Sequence, residues 1–488
     1  MDLRELDTPY LNNPGERMEP AVPRRSISVL CLVACTTLMW GIWRRSDTVE
    51  SSTTLPELQF WPFGRPRQAA APPVVKKPQG PPSPLTVEKK RVDDRPASKQ
   101  MGTSAADKST INRSAAEKMP SIRVGLLSEP VSTLKLEVSD AFIVRPVGGD
   151  KVLYKSARIG PTSVVATKTG LKIGKHELTA SQIEIVPSQS PAVWVEGHQY
   201  RGTLRLYRQG NSVQAINVLP LEDYVASVVD SEMPAAFPEE ARQAQAIVAR
   251  TYALYQKQVA EPAALADLFA STRSQKYLGY QYRDGGRLLS GESEAGRKIA
   301  AATRGKVCHY RGQIFCTYYS AVCGGNTVRG TDVFSDAAAP LVSVKCDFCR
   351  DARLYRWTAE ISKADVQKEL EPWLREKGRK PGTLKTVSMV RSNSPAGSLP
   401  EFNVMIDKQS TRISGPELRQ LLSGRGLYSP RFTIEDKGRQ LLVNGRGHGH
   451  GVGLCQWGSR GLALEGRTCE QILQYYYPGS AIATRHWK

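Results

Sequence analysis

The chain has 488 residues, enough for two or three domains, and 40% of them are hydrophobic, as in a globular protein rather than a disordered or fibrous one. Its 67 Lys and Arg outnumber its 47 Asp and Glu, for a formal net charge of +20. That charge either serves solubility or suits an acidic partner (nucleic acid, anionic lipid or anionic wall polymer); with no helix-turn-helix, zinc-finger or RNP aromatic pattern, nucleic acid is set aside.

Residues 1–25 are polar and read as a cytoplasmic tail. The next stretch, 26–43, is almost wholly apolar between Arg24-Arg25 and Arg44-Arg45, with Trp40 and Trp43 at its end. That length and those aromatics suggest a single transmembrane signal anchor. The following Trp-Arg-Arg-Ser is a poor cleavage site, so the anchor is expected to stay, with the bulk of the chain outside the cytoplasm. Residues 44–119 are proline-rich and then charged, with too few large apolar residues for a core; they read as a disordered linker.

From 120 to 218 short runs rich in β-branched residues recur at roughly ten-residue intervals between Gly and Pro, including Ile122–Leu126, Leu134–Val138, Ile183–Val186 and Leu204–Tyr207. This part is expected to be β-rich. After Leu219 the period changes: Tyr224, Val225, Val228 and Val229 share one helical face, and a second helix is expected from Pro238 through Arg250. The fold class expected is α+β, a β-rich region followed by a mixed catalytic region over 219–484.

Two segments carry the chemistry. Asp230-Ser231-Glu232-Met233-Pro234 places Glu232 at the end of an apolar helix, where burial raises a carboxyl pKa and suits it to general acid catalysis. Gly445 to Gly458 has six glycines in fourteen residues, which fits a loop whose backbone must pass close to something. His448 and His450 form a His-x-His inside it, and Gln456 follows. Cys346-Asp-Phe-Cys349 and Cys323 supply three thiols for a structural zinc site, with His309, Cys308 or Cys316 as a fourth ligand. Outside the cytoplasm disulfides compete with that reading, and free thiols are the third alternative.

The stretch Leu219–Pro234, followed by Phe237–Leu254, resembles the signature of the stage II sporulation protein D and amidase-enhancer family. The similarity resumes at Ser274-Gln-Lys-Tyr-Leu-Gly, Tyr319-Ser-Ala-Val-Cys-Gly-Gly-Asn-Thr, Gly449–Gly458 and Ile472–Gly479, in the family's order, and spans about residues 121–484. It implies a membrane-anchored peptidoglycan lytic transglycosylase acting on glycan strands without stem peptides, with Glu232 as the catalytic acid and no cofactor required. Gln275, Ser320, Thr327 and Gln456 are polar, lie in blocks that match the family and suit substrate binding by hydrogen bonds to a sugar, with a structural role as the alternative for each; His450 matches the family's histidine, which implies a place lining the substrate cleft. Some members instead promote a cell-wall amidase, so a non-catalytic enhancer is the first rival. An inverting glycosidase in which Asp230 or another acid activates water is the second. Asp230 stands where the family often has Ala, and Ala270, Arg273 and Ser274 occupy the region of the zinc ligands of some clostridial members.

Overall fold

The computed structural model describes residues 118–390 and 398–487. The tail, the anchor and all of the linker before Lys118 lie outside the described residues; among those described, no helix is long and apolar enough to cross a membrane.

The alternating runs become two packed sheets. Ile122 and Val124 are buried on strand Ser121–Gly125, and Leu134, Leu136 and Val138 on Thr133–Val138. A period of two turns one face of each strand to a common core. One sheet has seven strands, ordered Leu268–Phe269, Ser121–Gly125, Ser212–Pro220, Thr203–Gln209, Gln182–Pro187, Phe142–Pro146 and Tyr154–Ser156. Only its Leu268–Phe269 edge is parallel to its neighbour. The other has eight antiparallel strands, with Thr133–Val138 between Val193–Val195 and Ile159–Ala166. Strand Ser212–Pro220 is buried at five consecutive positions, Val213–Asn217. It touches both the second sheet and the helix that follows it.

The helices among the described residues are α1 (Leu221–Glu232), α2 (Glu239–Val259), α3 (Glu294–Ala302), α4 (Lys363–Glu376), α5 (Gly415–Leu421), α6 (Gln456–Leu464) and α7 (Cys469–Tyr476). Pro238 stands one residue before α2. Both α1 and the first two-thirds of α2 are buried nearly all round, the pattern of core helices. A buried guanidinium joins them: Arg250 gives Glu222 two hydrogen bonds, at 3.0 and 2.7 Å, and others to the carbonyls of Ala246, Ala300 and Lys306. Its side chain is fully buried.

Three buried clusters result. The first lies between the sheets and under α1. The second gathers Met233, Phe237, the loops after Cys308, and α6 and α7. The third belongs to an insertion between Trp357 and Gly445, built from two three-stranded sheets, α4 and α5 around Val366, Leu370, Phe402, Val404 and Leu418. Periodicity alone did not separate this module from the rest of 219–484. Its first and last residues, Trp357 and Gly445, are Cα partners in one antiparallel pair. Just outside it, Val322 bridges His448 and Val328 bridges Val452.

Candidate active site

Glu232 is the last residue of α1. Met233 turns extended (φ −128°, ψ 136°) while its N–H still bonds the Val229 carbonyl, and Pro234 follows. A residue before proline is disfavoured in the helical region, which explains the stop. The carboxyl therefore sits at the negative end of the helix dipole.

Around it the protein supplies three donors. The Lys276 N–H donates to Oε1 at 2.7 Å, the Gln456 side-chain amide to Oε2 at 3.3 Å, and the Tyr319 hydroxyl also bonds the carboxyl. Burial pushes the Glu232 carboxyl above its ordinary value, and these three bonds, with the Lys276 charge, only partly offset it. Glu232 is nevertheless not sealed: its residue surface is half-buried rather than fully buried, which leaves an edge for substrate. Lys276 is shifted down, by burial first, with the Glu232 charge opposing.

Behind this shell runs a relay of buried groups. The Tyr224 hydroxyl donates to Gln275 Oε1 at 3.0 Å, and Gln275 Nε2 donates to the Tyr319 hydroxyl at 3.3 Å. Gln275 thus aims Tyr319 at Glu232 and has no polar atom left over in its amide. Gln456 opens α6, and Cys455 caps that helix by accepting from Gly458 N–H.

Asp230 is turned away. The two residues stand about 200° apart around the helix axis. Its carboxylate pairs with buried Arg242 and accepts the Ser293 N–H just before α3. A carboxylate so engaged is not free to activate a water at the Glu232 site.

The glycine loop reaches the same neighbourhood through Tyr319. Gly447, Gly449, Gly451 and Gly453 alternate along it at φ +89°, +95°, +80° and +71°. What they pass close to is the protein itself: a Cβ at Gly453 would lie 1.9 Å from the Tyr318 carbonyl, and one at Gly447 would lie 2.5 Å from that of Val322. His450 Nδ1 accepts from Val452 N–H at 3.0 Å, and the ring also bonds the Tyr319 backbone. Burial holds its pKa down, to about 4, so the ring is neutral at pH 7. The His450 ring meets Phe334 and Tyr318 edge-on, at 5.0 and 5.9 Å, and those two stack at 3.7 Å. His448 instead meets Tyr428, so the two histidines of the His-x-His have different surroundings.

The other expected residues are placed as follows. Ser320 pairs with Cys455 across a short parallel ladder, and its buried hydroxyl has no protein partner. Thr327 is spent on structure: its hydroxyl donates to the Val342 carbonyl and accepts from Val344 N–H, fastening the 326–345 loop. No donor is left on it for a sugar. Sequence reasoning passed over Tyr319 and Lys276, although both stand inside matched blocks. It also passed over Tyr318 and Phe334, whose half-buried rings form an aromatic wall. Two open cavities, of about 580 and 1010 Å³, are lined by Gly325, Tyr355, Trp357 and Arg446 among others and not by Glu232. Volume alone does not mark the chemistry here, because neither holds a group with Glu232's burial and donors.

Cys323, Cys346 and Cys349 come together, and the fourth thiol is Cys455. The fourth ligands weighed from sequence lie elsewhere: Cys308 stands near Cys469, Cys316 near Asp336, and His309 pairs with Ile314. None of the seven described cysteines forms a disulfide.

Residues 209–310 match the family described as stage II sporulation protein, and residues 337–453, which hold the inserted module, match a domain of unknown function. An uncharacterized protein of Brachyspira hyodysenteriae is 31% identical over 316 residues, covering 65% of this chain and 80% of that one. Stage II sporulation protein D of Bacillus subtilis is 29% identical over 290 residues, covering 58% and 79%. The amidase enhancer of Bacillus subtilis is 24% identical over 406 residues, covering 69% of this chain and 55% of that protein.

Proposed function

Because the chain belongs to the stage II sporulation protein D and amidase-enhancer family, we propose that it is a peptidoglycan lytic transglycosylase whose general acid and base is Glu232. The observation that carries this reading is the Glu232 carboxyl itself: pushed up by burial, still part-exposed, and aimed by Lys276 N–H, Tyr319 and Gln456. A group protonated above the ordinary carboxyl range can give its proton to the glycosidic oxygen as the C1–O4 bond breaks. The C6 hydroxyl of the same muramyl residue then attacks C1. Its proton passes to the Glu232 carboxylate, which restores the acid and leaves a 1,6-anhydro end. No second carboxylate is needed, in contrast to the usual two-carboxylate hydrolase, and Asp230's bond to Arg242 suits that economy.

Tyr319 steadies the carboxyl, while Gln275 acts through Tyr319 as a positioning residue. Ser320 and His450 are assigned to the sugar, Ser320 for its unpartnered hydroxyl and His450 for its place beside the Tyr318–Phe334 wall. The net charge suits the acidic wall polymer. In this reading residues 26–43 anchor the chain in the cytoplasmic membrane, with the folded part on the far side. The protein would work with no cofactor in the reaction.

The test is product chemistry. The full chain in detergent is incubated with intact peptidoglycan and with glycan strands freed of stem peptides, and the ends are analysed by mass spectrometry. Anhydro-muramyl ends from wild type, absent with Glu232→Gln, are expected; reducing ends, or equal cleavage by Glu232→Gln, overturn the reading. The amidase-enhancer relative favours one alternative: no cleavage by the chain alone, with faster release of stem peptides when a wall amidase is added.

A further inference from the structure

We propose that Cys323, Cys346, Cys349 and Cys455 hold one Zn²⁺ in a closed tetrahedral thiolate site. Their four sulfurs all lie within 4.8 Å of one another, and each residue is 1% exposed or less. Thiolates at about 2.3 Å from zinc stand about 3.8 Å apart at the corners of a tetrahedron. The Cys323 and Cys349 sulfurs are 3.6 Å apart. An iron–sulfur cluster places several sulfide-bridged irons between its thiolates and needs a wider cage. The ligands come from three places in the chain: the loop after Ser320, the short 3-10 turn Asp347–Cys349, and the residue that caps α6.

The surroundings are those of a metal site rather than of a chance cluster of apolar thiols. Cys455 Sγ accepts the backbone N–H of Cys323 and of Gly458, both at 3.3 Å. The Tyr476 hydroxyl lies 3.1 Å from Cys346 Sγ. Donors of this kind stabilise a thiolate and fix its direction. Gly458 has no room for a side chain, since a Cβ there would meet Cys346 Sγ at 2.6 Å. Four thiolates on Zn²⁺ leave a net charge of about −2, which needs a nearby cation in a buried place. Arg431 supplies it: its guanidinium donates to the Cys323 and Asn326 carbonyls, at 3.1 and 2.7 Å.

The site fastens the start of α6. Gln456 is the next residue after Cys455, and its amide reaches Glu232. This last link rests on the catalytic reading above; the metal site does not.

The experiment is elemental analysis of the full chain, purified in detergent with a thiol reductant and no chelator, beside a count of reactive thiols among its nine cysteines. About one zinc per chain, released when a mercurial titrates the thiols, is expected. Cobalt exchanged into the site should give the strong visible bands of a tetrahedral tetrathiolate. Cys349→Ser and Cys455→Ser should bring the metal to background, and Cys308→Ser should leave it unchanged. Metal-free wild type, a disulfide within the set, iron with acid-labile sulfide, or zinc loss in Cys308→Ser each overturns the proposal. The wild-type measurement decides even if the serine variants fail to fold. Glu232→Gln should carry the same zinc as wild type. Zinc present while Glu232→Gln still cleaves glycan would sink the acid and spare the metal.

Discussion

At the scale of single residues, Glu232 joins two demands that oppose each other. The proposed catalysis wants its proton kept; the fold must bear the ionised form above its pKa. Its folded-state value lies above the unfolded one. The stability it contributes is therefore complete below the unfolded value and is lost as pH rises through the raised one. Glu232→Gln should melt higher than wild type at pH 8, and the difference should close towards pH 4, as read by thermal unfolding at both pH values. The same shift predicts that cleavage falls as pH rises through the raised value. Glu232→Gln should lose about 10²–10⁴-fold in turnover. Asp230 gives the contrasting case. Its alanine replacement, usual in relatives by resemblance, would here leave buried Arg242 without its partner. A cost of about 3–5 kcal/mol follows for breaking such a pair, with turnover per folded molecule largely kept. Equal stability of Asp230→Ala in denaturant melts would show the pair to be idle.

At the scale of elements, the end of α1 was legible in the sequence because helix period, Met-Pro stop and apolar face agree over a dozen residues. The four β-branched runs named from sequence likewise lie in strands, Leu126 alone falling just past its strand, since alternation survives wherever a strand covers a core. The glycine loop was legible as a close approach but not in its target. A glycine run says that a side chain will not fit, and not what fills the space; the Tyr318 and Val322 carbonyls fill it. Gly453→Val should accordingly prevent folding rather than slow catalysis, read as loss of soluble, cooperatively melting protein. Full stability with lost activity would instead point to a close approach of this backbone to substrate. The α1–α2 contact yields a second test. Arg250→Ala takes the paired cation from the Glu222 carboxylate, leaving it the Gly305 N–H and the Trp487 ring N–H, and should cost about 3 kcal/mol in a urea melt.

At the scale of the whole molecule, contacts between distant segments were the least legible. Cys455 completes a set begun at Cys323, and nothing in the local pattern of a Cys-x-x-Cys names a partner so far along the chain. Tyr318 and Phe334 form their wall only because a loop folds back, so no periodicity announces them. The inserted module was missed for a related reason: its short strands and helices have ordinary amphipathic patterns, and the boundary is made by tertiary pairing. The core below meets it chiefly through Tyr428, Ser429 and Arg431. Replacing residues 363–427 by a glycine linker, which spares those three, should leave a chain that folds and keeps its Glu232 chemistry on short glycans, measured by anhydro-end formation. An unfolded product would show that the module's core and the site's core are one.

The pairing of Trp357 with Gly445 has a historical consequence. Where a chain leaves and re-enters a domain at neighbouring points, extra sequence of any length can be spliced in without stretching what lies beneath. The bridges at Val322–His448 and Val328–Val452 act as a clasp at the neck of that excursion. An appendage can therefore be lengthened, exchanged or removed there while the floor that carries Glu232 stays still, and spans of very different length between the Gly-Gly-Asn and Gly-His-Gly blocks should be interchangeable above that clasp.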